Sequence, residues 1–135
     1  MVSLETPVCD FGRPAVDFSL PGVDGRSWTL EQCRGGKGLL VMFICNHCPY
    51  VIGSDEVTRK TADDFTSREV RFVGINSNSA NTYPSDSFDN MVRRMQQYSF
   101  PWLYLYDESQ EVAKAYGALR TPHFYVFNEA RELVY

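Results

Sequence analysis

Gly38-Leu39-Leu40-Val41-Met42-Phe43-Ile44-Cys45-Asn46-His47-Cys48-Pro49 is the stretch on which the fold turns. Its first seven residues are apolar or small at both odd and even positions, as expected of a central strand covered on both faces. Past the cysteines, Tyr50, Val51, Ser54, Val57, Thr61, Ala62 and Phe65 recur at three- and four-residue spacing. That spacing predicts a helix over residues 47–65, with Pro49 in its first turn, where a missing N–H costs little. Two thiols three positions apart therefore stand where a strand hands over to a helix. The first turn of a helix leaves backbone N–H groups unpaired and carries partial positive charge, which favours thiolate over thiol. Thiolate is the reactive form, so the position points to redox chemistry.

Toward the N-terminus, residues 17–30 hold Pro21-Gly22 and Asp24-Gly25 turn signals between short alternating stretches, which reads as a small hairpin, and residues 32–38 read as a glycine-bearing connector. Toward the C-terminus, residues 71–76 form a second short buried strand and residues 77–86 a polar loop. Phe88, Met91, Val92, Met95 and Tyr98 then make one stripe of a helix, a pattern of core packing. Residues 102–106 read as a strand, residues 109–116 as a short helix stopped by Gly117, and residues 124–127 as a further buried strand that turns back over 128–131 into residues 132–135. Strands alternating with helices imply an α/β fold with a mainly parallel sheet, and the close final pair implies an antiparallel edge hairpin.

The 135-residue length suits one domain spanning residues 1–135, with enough chain to bury a core without staples. A net charge of −4 and no Lys/Arg run argue against nucleic acid or an anionic membrane as partner, and no apolar run approaches the roughly 18 residues of a membrane span. Residues 1–10 lack the basic and then apolar regions of a secretory signal, so a cytoplasmic location is expected. Four cysteines, Cys9, Cys33, Cys45 and Cys48, are too few and too uneven for a secreted disulfide framework. Cys9 and Cys33 carry no motif and read as incidental thiols that pack like small hydrophobes.

In a reducing compartment a C-x-x-C is catalytic or metal-binding. Three-residue spacing at a helix start brings two sulfurs close enough to bridge. One thiolate attacks a partner disulfide; the other then attacks the mixed disulfide and frees the reduced partner. Cys45, nearer the loop, is expected to be the exposed nucleophile and Cys48 the resolving thiol. A protonated His47 between them would add positive charge and favour thiolate. Thr121-Pro122, just before the last buried strand, forms a second constellation, since a proline there can turn the chain tightly and present the Thr121 backbone to an incoming peptide or thiol. His123 reads either as a sheet-edge residue or as a second group near the sulfurs.

Together these pieces resemble the thioredoxin-like redoxins, in the branch grouped with alkyl hydroperoxide reductase and thiol-specific antioxidant proteins (peroxiredoxin-like). The residues carrying the resemblance are Asp17-Phe18-Ser19-Leu20 with Asp24-Gly25, Phe43 to Val51, Val73-Gly74-Ile75-Asn76-Ser77-Asn78, Tyr104-Leu105-Tyr106-Asp107-Glu108, Val112 to Gly117, and Thr121-Pro122. The resemblance implies a three-layer thioredoxin-like fold with a central mixed sheet and an N-terminal β-hairpin, an exposed Cys45, a resolving Cys48 and a cis Pro122 facing them. It also implies electron exchange with protein or small-molecule thiols and disulfides, with no organic cofactor. His47 directly before the second cysteine resembles strongly oxidising members, which points to a potential less reducing than thioredoxin's roughly −270 mV.

Three features depart from the family pattern. Residues 38–44 contain no Asp or Glu, so the buried acid that many thioredoxins carry before their cysteines is missing. Peroxidase members place a threonine three positions ahead of the peroxidatic cysteine, and here Cys45 holds that position relative to Cys48, so a peroxidase mechanism would make Cys48 the attacking thiol. The sequence also stops at Tyr135, before the helix that normally covers one sheet face. A C-terminally truncated domain is the expectation, with an apolar patch exposed on that face or hidden by homo-oligomer formation.

The reading is a thiol-disulfide oxidoreductase with Cys45, Cys48 and His47 catalytic and Thr121 and Pro122 substrate-binding. One rival is a thiol peroxidase that reduces hydroperoxides with the same sulfurs. Another is a non-catalytic carrier in which Cys45 and Cys48, with His47 or His123, hold copper or zinc, although no second C-x-x-C closes a zinc site. A third is a redox fold that serves only to bind protein.

Overall fold

The computed structural model describes residues 12, 14–33, 36–46, 49–77, 87–118 and 123–134. The N-terminal hairpin forms as expected, with β1 (Ser19–Pro21) antiparallel to β2 (Ser27–Thr29). Gly25, at φ +84, takes the left-handed position of its turn, and Asp24 Oδ1 accepts from the Arg26 N–H at 3.0 Å. The connector predicted over residues 32–38 starts later than expected, because α1 (Leu30–Cys33) occupies its first residues. A capping box explains it: the Thr29 hydroxyl accepts from the Gln32 N–H at 3.3 Å, and Gln32 Oε1 accepts from the Thr29 N–H at 3.0 Å.

The strand and helices around the cysteines form where the pattern places them: β3 (Gly38–Phe43), α2 (Pro49–Thr66), β4 (Val70–Asn76), α3 (Phe88–Tyr98), β5 (Leu103–Tyr106), α4 (Glu111–Tyr116) and β6 (His123–Asn128). Most of the 77–86 loop lies outside the described residues. Ser87 caps α3, its hydroxyl accepting from the Asn90 N–H at 3.2 Å, and Gly117 closes α4 at φ +77, as its sequence position suggests. The sheet order is β5-β4-β3-β6, with β3, β4 and β5 parallel and β6 antiparallel to β3. Such a mixed α/β sheet beside an N-terminal hairpin is the thioredoxin-like arrangement.

Side-chain alternation divides the core in two. Leu39, Val41, Phe43, Val73, Ile75 and Leu105 face the hairpin, α1 and α4. On that side Phe43, Tyr116 and Tyr125 pack ring on ring, with centroids 5.5 to 5.9 Å apart, and the Tyr116 hydroxyl donates to the Val16 carbonyl at 2.7 Å. Met42, Ile44, Cys45 and Phe72 face the other way, against Ala62 of α2 and Met91 of α3.

Both sheet edges are occupied. The hairpin continues the sheet beyond β5, since the Val23 N–H donates to the Tyr104 carbonyl at 3.0 Å and Gly22 bridges Leu105. Beyond β6 the expected return over residues 132–135 appears as bridges and not as a full strand. Leu133 bridges Phe127 while Glu132 bridges Pro14, so this short segment is shared between two neighbours. The expected exposed sheet patch also takes a milder form: Leu40, Phe124 and Val126, which share the α2 side of β3 and β6, are half-buried. The large hydrophobic residues that are exposed among the described residues are Val57, Tyr98 and Val134, none of them in the sheet.

Candidate functional site

Parallel strands bring their carboxyl ends to one end of the sheet, and β6, running the other way, begins there. Cys45 and Asn46 follow β3, Asn76 and Ser77 close β4, Tyr106 and Asp107 close β5, and His123 opens β6 opposite Phe43. The β3–β4 ladder runs one bond past the strand, because the Ile44 N–H donates to the Ile75 carbonyl at 2.9 Å. The residue before Cys45 is thereby held in the ladder.

The Cys45 side chain is 1% exposed and packs on the α2/α3 side of the core. This departs from the exposed nucleophile that the loop position suggested. The physical reason is a break in strand alternation past Phe43: Ile44 and Cys45 both turn to the Met42 side, where the α2/α3 half of the core covers the sulfur. Of the other expected site residues, His47, Cys48, Thr121 and Pro122 lie outside the described residues; α2 begins at Pro49, immediately after Cys48 in sequence.

Asn46 lies between the two cysteines in the sequence. The Tyr104 hydroxyl donates to Asn46 Oδ1 at 2.9 Å, and Asn46 Nδ2 approaches the Ser87 carbonyl at 3.5 Å. Asn46 is therefore tied to β5 and to the residue that caps α3. Nothing in the sequence pattern links Tyr104 to Asn46, because a bond spanning 58 positions leaves no local signal.

His123 is half-buried, its ring stacked on Tyr125 with centroids 4.5 Å apart and planes 13° from parallel. It sits on the face that holds Tyr116, whereas Cys45 packs on the other. Of its two readings, that stacking favours the sheet-edge one.

Asp107, to which the motifs assign no role of its own, is a second feature of this end. It is fully buried, and its Oδ2 accepts from the Ser77 hydroxyl at 2.7 Å and from the Ala113 N–H at 3.0 Å. A buried carboxylate at the carboxyl end of the sheet invites comparison with the acid missing from β3. The sheet order argues otherwise, because β5 is two strands from β3, about 10 Å at ordinary strand spacing, too far for direct proton transfer. Its bonds give it another task, fastening β4 and the first turn of α4 to the end of β5.

Cys33, in α1, is fully buried, and burial pushes its thiol up to about 11, an effect that the nearby Arg71 charge only partly offsets. Such a thiol is unreactive near neutral pH. An apolar cleft of about 200 Å³ opens along β5 between the hairpin and α3, lined by Gly22, Val23, Trp28, Met95, Trp102 and Leu103 among others, and its lining includes neither Cys45 nor Asn46.

Comparison with known proteins places this arrangement. No curated protein matches the chain. A structure of an uncharacterized conserved protein from Geobacillus kaustophilus is 41% identical, covers 98% of this chain and 73% of its own, and superposes with a TM-score of 0.92. The thioredoxin domain of a thiol-disulfide oxidoreductase from Bacteroides vulgatus shares the fold at 16% identity, covering 94% of this chain and 87% of its own with a TM-score of 0.78. Peroxidoxin BcpB from Mycobacterium tuberculosis does so at 19% identity, covering 91% and 81% with a TM-score of 0.74. The Redoxin family model matches residues 11–135, nearly the whole sequence with its cysteine pair included, and the chain belongs to the Redoxin family.

Proposed function

We propose that the chain, acting as a single domain, is a thiol-disulfide oxidoreductase whose redox couple is Cys45 and Cys48. The observation that carries this reading is the junction itself: β3 ends at Phe43 and α2 starts at Pro49, so both cysteines fall in the short turn between them. In the reaction one thiolate attacks a partner disulfide, forms a mixed disulfide and expels a partner thiolate. The second thiolate attacks the chain's sulfur in that mixed disulfide, closes the Cys45–Cys48 bond and releases the second partner thiol. Two electrons pass to the partner and none are left over.

Cys45 is assigned the attacking role, its buried side chain reaching the partner when the segment after it opens. A protonated His47 supports thiolate at the pair. Thr121 and Pro122 precede β6, whose first residue pairs with Phe43, so that segment and the dithiol turn leave the same end of the sheet; this supports their assignment to partner binding. The partners are protein or small-molecule thiols and disulfides, in the cytoplasm. Self-association over the half-buried Leu40, Phe124 and Val126 belongs to the same proposal, and sedimentation velocity reads it directly.

The test is a dithiol-exchange assay on single variants. Cys45→Ser and Cys48→Ser each abolish catalytic exchange if the couple is right. Unchanged turnover in Cys45→Ser removes the assignment.

The burial of Cys45 favours a second reading, a thiol peroxidase in which Cys48 attacks. Cys48 thiolate would take the outer oxygen of a hydroperoxide, giving a sulfenic acid and an alcohol, and Cys45 would condense with it to a disulfide and water. One equivalent of hydroperoxide, with a sulfenic acid trap, distinguishes the two: trapped sulfenate on Cys48 within seconds favours the peroxidase, and slow oxidation typical of an ordinary thiol favours disulfide exchange. The metal-carrier reading, with Cys45 and Cys48 joined by His47 or His123, is decided by metal content after purification without chelator.

A further inference from the structure

Tyr104 is 2% exposed, and its hydroxyl reaches from β5 to a residue of the dithiol turn, donating to Asn46 Oδ1 at 2.9 Å. Asn46 Nδ2 faces the Ser87 carbonyl at 3.5 Å, and the Ser87 hydroxyl is itself engaged by the Asn90 N–H. The carboxamide is thus oriented from two sides, by a strand and by a helix cap, and neither anchor belongs to the C-x-x-C. Asn46 is joined directly to Cys45 and lies two residues from Cys48. Fixing it limits the conformations the peptide between the sulfurs can sample.

We propose that Tyr104 is a positioning residue for the Cys45/Cys48 couple: by holding Asn46, it raises the effective concentration of one sulfur toward the other and so stabilises their disulfide. The inference rests on the redox reading of those sulfurs. Its physical basis is that ring closure between two thiols is favoured when the linker is already confined, since less freedom is lost on forming the bond. The relevant equilibrium is protein dithiol plus oxidised glutathione giving protein disulfide plus two reduced glutathiones, so two electrons move from the chain to glutathione.

The experiment equilibrates the protein in glutathione buffers and counts Cys45–Cys48 disulfide by alkylation and peptide mapping. Losing one hydrogen bond of this kind changes an equilibrium constant about 3- to 10-fold. Tyr104→Phe is expected to lower the constant for disulfide formation by that factor, where tenfold corresponds to a potential about 30 mV more oxidising. Asn46→Ala approaches the same bond from the turn and is expected to give a similar shift, with the double variant shifted no further than either.

Tyr116→Phe is the control. It also loses a buried tyrosine hydroxyl bond, to the Val16 carbonyl at 2.7 Å, but on the other face of the sheet. It should lower stability without moving the equilibrium. An unshifted constant in Tyr104→Phe and Asn46→Ala, or an equal shift in Tyr116→Phe, overturns the inference while leaving the redox couple intact. A wild-type chain that forms no Cys45–Cys48 disulfide at any glutathione ratio removes the couple, and the inference with it.

Discussion

Cys33 and Cys45 are both buried thiols, yet their surroundings give them different chemistry. Cys33 lies in α1 beneath the hairpin, where burial lifts its thiol to about 11 from an ordinary value of 9.0. Alkylation of the folded chain at pH 8 should therefore spare Cys33 and modify it only after denaturant is added, as peptide mapping would show. The same shift links stability to pH. The folded chain holds this proton more tightly than the unfolded chain, so the stabilisation is complete below pH 9 and is lost as the pH climbs from 9 toward 11, on the order of 2 kcal/mol. Urea unfolding at pH 8 and pH 11 should show that loss in the wild type and a smaller one in Cys33→Ala. Cys45 sits past the carboxyl end of β3, beside Asn46, whose side chain is bonded to Tyr104.

Helices α2 and α3 are joined by an ion pair between Asp55 and Arg94, and the Arg94 guanidinium also lies over the Tyr98 and Phe100 rings at 5.2 and 5.1 Å. Burial raises the Asp55 carboxyl above its ordinary value, and the attraction of Arg94 opposes this without cancelling it. Arg94→Met leaves a buried carboxylate with its main partner gone, a loss between that of a surface pair and a fully buried one, about 1–3 kcal/mol at pH 7. That penalty falls on the charged carboxylate, so it should shrink as the pH drops and Asp55 takes up a proton. Denaturant titrations at pH 7 and pH 4 check both magnitude and sign. The elements themselves were largely legible in the sequence. β3 announced itself by apolar residues at both parities, α3 by its stripe, and α4 by the stop at Gly117. What was missed depends on reach or on fine spacing. The box between Thr29 and Gln32 was overlooked because the glycines that follow suggested a connector. The ladder bond at Ile44, beside the buried Cys45, and the bonds of Tyr104 and Asp107 join positions far apart in sequence, and periodicity carries no record of them.

At the scale of the whole molecule, the parallel strands and the reversed β6 gather Cys45, Asn46, Asp107 and the start of β6 at one end of the sheet, and the hairpin and residues 132–134 lie along its two edges. Among the described residues, no helix is long and apolar enough to cross a membrane. The family and this topology together make a thiol redox reaction the chemistry to look for, and its proposed core is a reversible bond between Cys45 and Cys48. The direct test is to equilibrate the full chain across a series of reduced-to-oxidised glutathione ratios, quench by acid, and map the disulfides by mass spectrometry. The account predicts one two-electron transition in which Cys45 and Cys48 become linked to each other while Cys33 remains a thiol throughout. A chain whose Cys45 and Cys48 stay unlinked across the whole series, or whose Cys45 pairs with a different cysteine, would contradict it.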